Sequence, residues 1–148
     1  MTLAEKHGFR FVPTEWEARG VQAYFMRNVV EHGYPLDMQS DALGWTAVVG
    51  DDERVYAVFG WKPIPGGVVD ITDFYSYPNR KGVLAAYAAI EYIKGEADRT
   101  GVPLVTATPE GNTTMIAAYK RIFSVDRPTL LVFKYVPEHV PVAAAEAS

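Results

Sequence analysis

Arg80, Lys81 and Gly82 follow closely on a strand-like run, Val68-Val69-Asp70-Ile71-Thr72-Asp73-Phe74-Tyr75, and lead straight into an apolar period of 3.6 residues. A basic, glycine-containing loop between a strand and a helix can hold an anion. The free N–H groups of the helix start and its positive dipole end both favour negative charge. The chemistry expected at this junction is capture of a phosphate-bearing cofactor. Asp70 and Asp73 are the only acidic breaks in the run. On a regular strand they face opposite sides, so only one of them reaches a given cleft unless a bulge intervenes. With no cysteine in the chain, thiolate metal sites, disulfides and a cysteine nucleophile are excluded. His7, His32 and His139 are scattered without ligand spacing, so no metal site is expected.

The elements that position these residues can be read in order. Phe9–Val12 alternates like a short strand that Pro13 stops. Thr14 with Glu17 has the form of a capping box, predicting a helix with Val21, Tyr24, Phe25 and Val29 inward and Gly33 at its end. Trp45–Val49 and Val55–Trp61 are strands reversed by Gly50-Asp51-Asp52-Glu53, and Pro63–Gly67 turns the chain into the Val68 strand, completing an antiparallel meander. A helix from Gly82 carries Val83, Tyr87, Ile90 and Ala97 on its apolar face, with Leu84 and Ile93 flanking, and Gly101 caps it. Pro103–Thr108 is an apolar strand, parallel to the Val68 strand by the right-handed crossover rule. A helix from Thr113 to about Ile122 turns Met115, Ile116 and Tyr119 inward, and Phe123–Asp126 and Thr129–Tyr135 close the fold as two strands. The fold class is α/β (α+β): a mixed central sheet, a meander plus one parallel β-α-β crossover, with helices on both faces.

The 148 residues, 49% hydrophobic, suffice for one core, so residues 1–136 are expected to form a single domain and residues 137–148 a flexible tail. A net charge of −4 offers little to a nucleic-acid backbone. No apolar run approaches a membrane span and the N-terminus has no signal-peptide core, so neither nucleic acid nor membrane is an expected partner and the expected compartment is cytoplasmic.

This order of elements resembles the GNAT fold of the GCN5-related N-acetyltransferases, over nearly the whole chain to about Val136. Asn112 and Tyr119 stand at the family's Asn-to-Tyr spacing of a late helix, with Met115 and Phe123 in its usual apolar places. At the phosphate loop, register on Gly82 puts Asn79 in the Gln/Arg slot and Leu84 in the final Gly/Ala slot, where the family carries a small residue. A Gly111-Asn112-Thr113 opening and the Arg80–Ala85 segment are also similar to a GNAT-like internal virion protein of short-tailed bacteriophages.

The resemblance implies acetyl-CoA, or another acyl-CoA, as co-substrate. Its pantetheine would lie between the Val68 and Leu104 strands, and its contacts would fall to Tyr75, Asn79, Arg80, Lys81, Gly82, Val83 and Asn112. Tyr119 would protonate the departing thiolate, and Asp73 would act as general base for a small-molecule or peptide amine. Tyr34, Trp45, Trp61, Tyr75 and Tyr77 are candidates for an acceptor pocket, and the apolar last strands are candidates for a homodimer contact. Two alternatives stand beside the enzyme: a catalytically inactive structural or assembly protein, with virion proteins as partners in a host cytoplasm or a phage particle, and a CoA-binding regulator.

Overall fold

The computed structural model describes residues 1–15, 42–107, 113–123 and 130–131. A short helix α1 (Leu3–His7) opens the chain, with Thr2 and Glu5 forming a reciprocal capping box and Gly8 closing it at φ 72°. Strands β1 (Arg10–Thr14), β2 (Gly44–Val49), β3 (Val55–Ile64) and β4 (Val68–Ser76) follow, then helix α2 (Arg80–Thr100), strand β5 (Leu104–Ala107), helix α3 (Thr113–Phe123) and strand β6 (Leu130–Leu131). The six strands form one sheet in sequence order. β1 to β4 pair antiparallel, β4 and β5 parallel, and β5 and β6 parallel, so α2 and α3 are each the helix of a parallel connection.

Both prolines expected to end strands lie within them. Pro13 pairs with Thr46 on β1, the sheet's edge, where a missing N–H costs no ladder bond. Pro63 pairs with Val69 in a part of β3 that has outrun β2, whose ladder stops at Gly44↔Trp61, so there too one side is open. Phe123 is the last residue of α3 rather than the start of a strand. The helix expected after Thr14, residues 124–126, most of the last strand and the tail fall outside the described residues.

Three described helices share one face of the sheet. Phe9, Val48, Phe59, Ile71 and Leu104 meet Ala85, Ala88, Ala89, Ile90 and Ile93 of α2 and Ala118 and Tyr119 of α3 there. Trp45, Ala47, Val49, Val58 and Tyr75 form a second cluster on the opposite face. The buried face of α2 is built mainly from alanines, which let the helix axis approach the sheet closely. Val83, expected on that face, is 38% exposed, whereas Leu84 packs against the core. Gly101 caps α2 as expected, at φ 70° with its N–H on the Ala97 carbonyl at 2.8 Å.

The entry to α2 is fixed by Gly82. A Cβ on this residue would lie 1.8 Å from the Tyr77 carbonyl oxygen, so the turn closes only around a residue with no side chain. Gly95, in the same helix, has nothing within 4 Å of the corresponding position. Gly82→Ala is therefore expected to cost about 2–3 kcal/mol in urea unfolding. Gly95→Ala should gain about 0.5–1 kcal/mol. Equal effects of the two substitutions would contradict this account of the turn.

Candidate active site

β4 is the strand on which the site is built, and it is irregular. Its ladder with β3 runs Trp61↔Ile71 and then Gly60↔Asp73, leaving Thr72 as the extra residue of a bulge. Val69, Ile71 and Phe74 lie with the core under the helices, whereas Tyr75 lies in the second cluster. By alternation on either side of the bulge, Asp70 and Asp73 both face away from the helices. A Cβ on Gly60 would meet the Thr72 hydroxyl at 3.2 Å and Asp73 Oδ2 at 3.3 Å, which places both side chains on that same side. The Thr72 hydroxyl donates to Asp73 Oδ2 at 2.7 Å. The bulge is what brings the two carboxylates to one face.

The bulge directly follows the last described rung of the parallel ladder: β4 and β5 pair at Val69↔Leu104, Asp70↔Val105 and Ile71↔Thr106, and β5 is described only to Ala107. At that last rung, on the helix face, the Thr106 hydroxyl lies 3.4 Å from the Tyr119 phenol. Burial pushes the Tyr119 hydroxyl up to about 12, against a smaller downward pull from Thr106, so at neutral pH it keeps its proton. Tyr119 and Asp73 thus lie on opposite faces of the sheet.

The residues expected to hold a phosphate are less free than their types suggest. Asn79 is the N-cap of α2, its Oδ1 accepting from the Gly82 N–H at 2.7 Å, so that donor is already used. Lys81 Nζ lies 3.4 Å from Asp51 and 3.5 Å from Asp52, in the turn between β2 and β3, and 4.7 Å from the centre of the Tyr56 ring. Partial desolvation works against its charge, but Asp51, Asp52 and Tyr56 together raise its pKa. Arg80 is exposed and makes no ion pair with a described residue. Gly82 is buried against Tyr77, Val83 is exposed on α2, and Tyr75 is buried on the face away from the helices. Asn112 lies outside the described residues.

A cavity of about 510 Å³ opens elsewhere on the helix face, between the C-terminal half of α2 and the sheet. Trp61, one of the aromatic residues expected to line a pocket, lies on its wall, and Tyr92 joins it from α2; Trp45 borders the cavity from β2 but packs in the cluster on the far face. Tyr92 was not singled out in the sequence, although its position one turn beyond Ala88 was a signal that could have found it. Among the described residues no group of three or more His, Asp or Glu could hold a metal ion, and no helix is long and apolar enough to cross a membrane.

The fold has solved counterparts. An aminoglycoside antibiotic 6'-N-acetyltransferase, AAC(6')-Ih from Acinetobacter baumannii, superposes with a TM-score of 0.53 at 10% identity, over 90% of this chain and 100% of its own. A protein described as a probable acetyltransferase gives a TM-score of 0.58 at 15% identity, over 89% of this chain and 98% of its own. No protein-family model matches the sequence, and no curated protein matches it. The chain has the GNAT fold, as the order of its elements led us to expect.

The turn cluster gives a pH signature. The Tyr56 hydroxyl donates to Asp52 Oδ2 at 2.5 Å. This bond is the main reason the Asp52 carboxyl sits below its ordinary range, against the opposing effect of desolvation, and Arg54 N–H and Lys81 add to it. A carboxyl with a depressed folded pKa stabilises the fold fully above its unfolded value, near about pH 4, and loses that contribution as pH falls through the folded value. Asp52→Asn should therefore melt below wild type at pH 7, and the two melting curves should converge as the pH is lowered below about 4. A constant gap across that range would show that Asp52 does not titrate against Tyr56 and Lys81.

Proposed function

We propose that this protein is an acyltransferase of GNAT type that moves an acyl group from acetyl-CoA, or another acyl-CoA, to an amine by direct attack. The observation that supports the reading is the bulge at Thr72, directly after the last described β4–β5 rung, Ile71↔Thr106, beyond which an extended thioester would lie between the two strands. The likeness to solved acetyltransferases supports it at the level of the fold.

In this reading the donor enters between the strands, its phosphates held by Arg80 and by the first N–H groups of α2 that Asn79 does not occupy. The amine approaches from the Asp73 face. Its nitrogen forms a bond to the thioester carbonyl carbon, the C–S bond breaks, and the nitrogen's proton passes to Asp73 directly or through water. The thiolate leaves towards the helix face and Tyr119. A phenol at about 12 lies well above an ordinary thiol near ~8.5, so Tyr119 acts best as a hydrogen-bond donor that stabilises the thiolate rather than as a full proton source. With no cysteine available, no acyl-cysteine intermediate can form, and direct transfer needs none.

One observation favours a second reading, a chain that keeps the fold without turnover. Lys81 is held by Asp51 and Asp52, and Asn79 covers the Gly82 N–H, so part of the phosphate-binding apparatus is occupied by the protein itself.

Melting with acetyl-CoA separates the two. At about 100 times its dissociation constant the donor should stabilise the fold by about 2.7 kcal/mol. Thiol release on a panel of amines should then fall about 10- to 100-fold in kcat for Tyr119→Phe with KM little changed. For Asp73→Asn, kcat/KM should fall about 100-fold at pH 7 and recover as the pH rises and the amine loses its own proton. No stabilisation by acetyl-CoA would reject the acyl-transfer reading, and unchanged turnover in Tyr119→Phe would remove that residue from it.

A further inference from the structure

The cavity under the C-terminal half of α2 is built differently from the acyl cleft and lies at the other end of the same strands. Its floor includes Val69, Ile71 and Leu104, from the closed rungs of the β4–β5 ladder, so it does not open through the sheet. A volume of about 510 Å³ is within the range of small-molecule sites.

Its walls are aromatic. Trp61 is 38% exposed, and its indole occupies the space over Gly44 on β2: a Cβ there would come within 2.3 Å of the ring. Tyr92, also 38% exposed, stands opposite on α2 and is stacked on Phe11 at 4.1 Å between centroids, which fixes its orientation. Among the described residues on the wall Glu96 is the one that is charged. Its carboxylate is bonded by Arg99 at 2.5 Å, chiefly for which reason its pKa is lowered, and the Arg99 side chain is 68% exposed. Such an exposed pair is cheap to open. Two aromatic rings and a carboxylate released from that pair favour a cation over an anion.

We propose that this cavity is a second ligand site, for a small organic cation with a flat apolar body. The site does not depend on the acyl-transfer reading: Trp61 was a candidate for its acceptor pocket, but Asp73, Tyr119, Asn79 and Arg80, to which that chemistry is assigned, do not line the cavity.

A matched pair of probes tests it on the full chain: 2-naphthylmethylammonium and 2-naphthylacetate, with one ring system and opposite charge. Titration followed by nitrogen–proton NMR should show saturable shifts at the Trp61 indole N–H and the Ala97 amide with the ammonium. The acetate should bind about fivefold more weakly or worse. Glu96→Gln should remove that preference, and Ala97→Leu, which fills the cavity from the helix side, should abolish binding of both probes. Saturating acetyl-CoA should leave the ammonium's dissociation constant unchanged. The proposal is overturned by the absence of saturable shifts, by equal binding of the two probes to wild type, by competition from acetyl-CoA, or by full binding to a folded Ala97→Leu. Should Ala97→Leu fail to fold, the charge preference and its loss in Glu96→Gln decide the matter alone.

Discussion

One extra residue in β4 governs the geometry of the site. Opposite Gly60, Thr72 is bulged, and the bulge has two effects at one point in the chain. It reverses the side-chain alternation, so that Asp70 and Asp73 share a face while Ile71 and Phe74 stay in the core. It also increases local twist just past the last described rung with β5, Ile71↔Thr106. Gly60 makes room for this arrangement, since a Cβ there would lie 2.8 Å from Ala42 and tight against Thr72 and Asp73. A regular β4 would carry one carboxylate on each face.

At the start of α2 the protein's own groups do part of what a bound anion would do. A helix N-terminus disfavours cations, yet Arg80 and Lys81 occupy its first turn, and no acidic residue does. Asp51 and Asp52 reach across from the β2–β3 turn and offset Lys81, and Asn79 satisfies one of the open N–H groups. A phosphate arriving here competes with two carboxylates for Lys81, and Arg80 is the cation it meets without competition. The same contacts tie the turn to the helix and fix the point at which β4 hands over to α2.

The frame of this fold was legible because its signals are periodic and local. Alternation marked the meander, Gly101 marked the end of α2, and the strand–helix–strand order implied the parallel pairing that β4 and β5 adopt. What escaped was set by neighbours. Pro13 and Pro63 looked like strand breakers, but whether a proline breaks a strand depends on whether its nitrogen faces a ladder partner, and among the described residues each has a paired strand on one side alone. Val83 was read as core because it is apolar, whereas the helix buries the alanines that let it approach the sheet. The bulge at Thr72 has no signature in the sequence beyond two aspartates at the wrong spacing for one face. Gly82 was singled out as part of a phosphate loop, and the structure adds a requirement that no sequence pattern marks: its missing side chain accommodates the Tyr77 carbonyl.

In the acyl transfer proposed for this protein, Asp73 and Tyr119 would act from opposite faces of the sheet. The amine would add to the thioester carbonyl and the tetrahedral intermediate would then expel the thiolate, so that proton removal and stabilisation of the leaving group fall to two separate groups. The two groups also need opposite environments. A base must reach water or substrate to exchange its proton, and Asp73 is only half-buried; a donor that must not ionise is best kept dry, and Tyr119 is 3% exposed. Placing the phenol in the helix-side core and the carboxylate on the far face satisfies both demands, whereas a common pocket would force one group into the wrong dielectric.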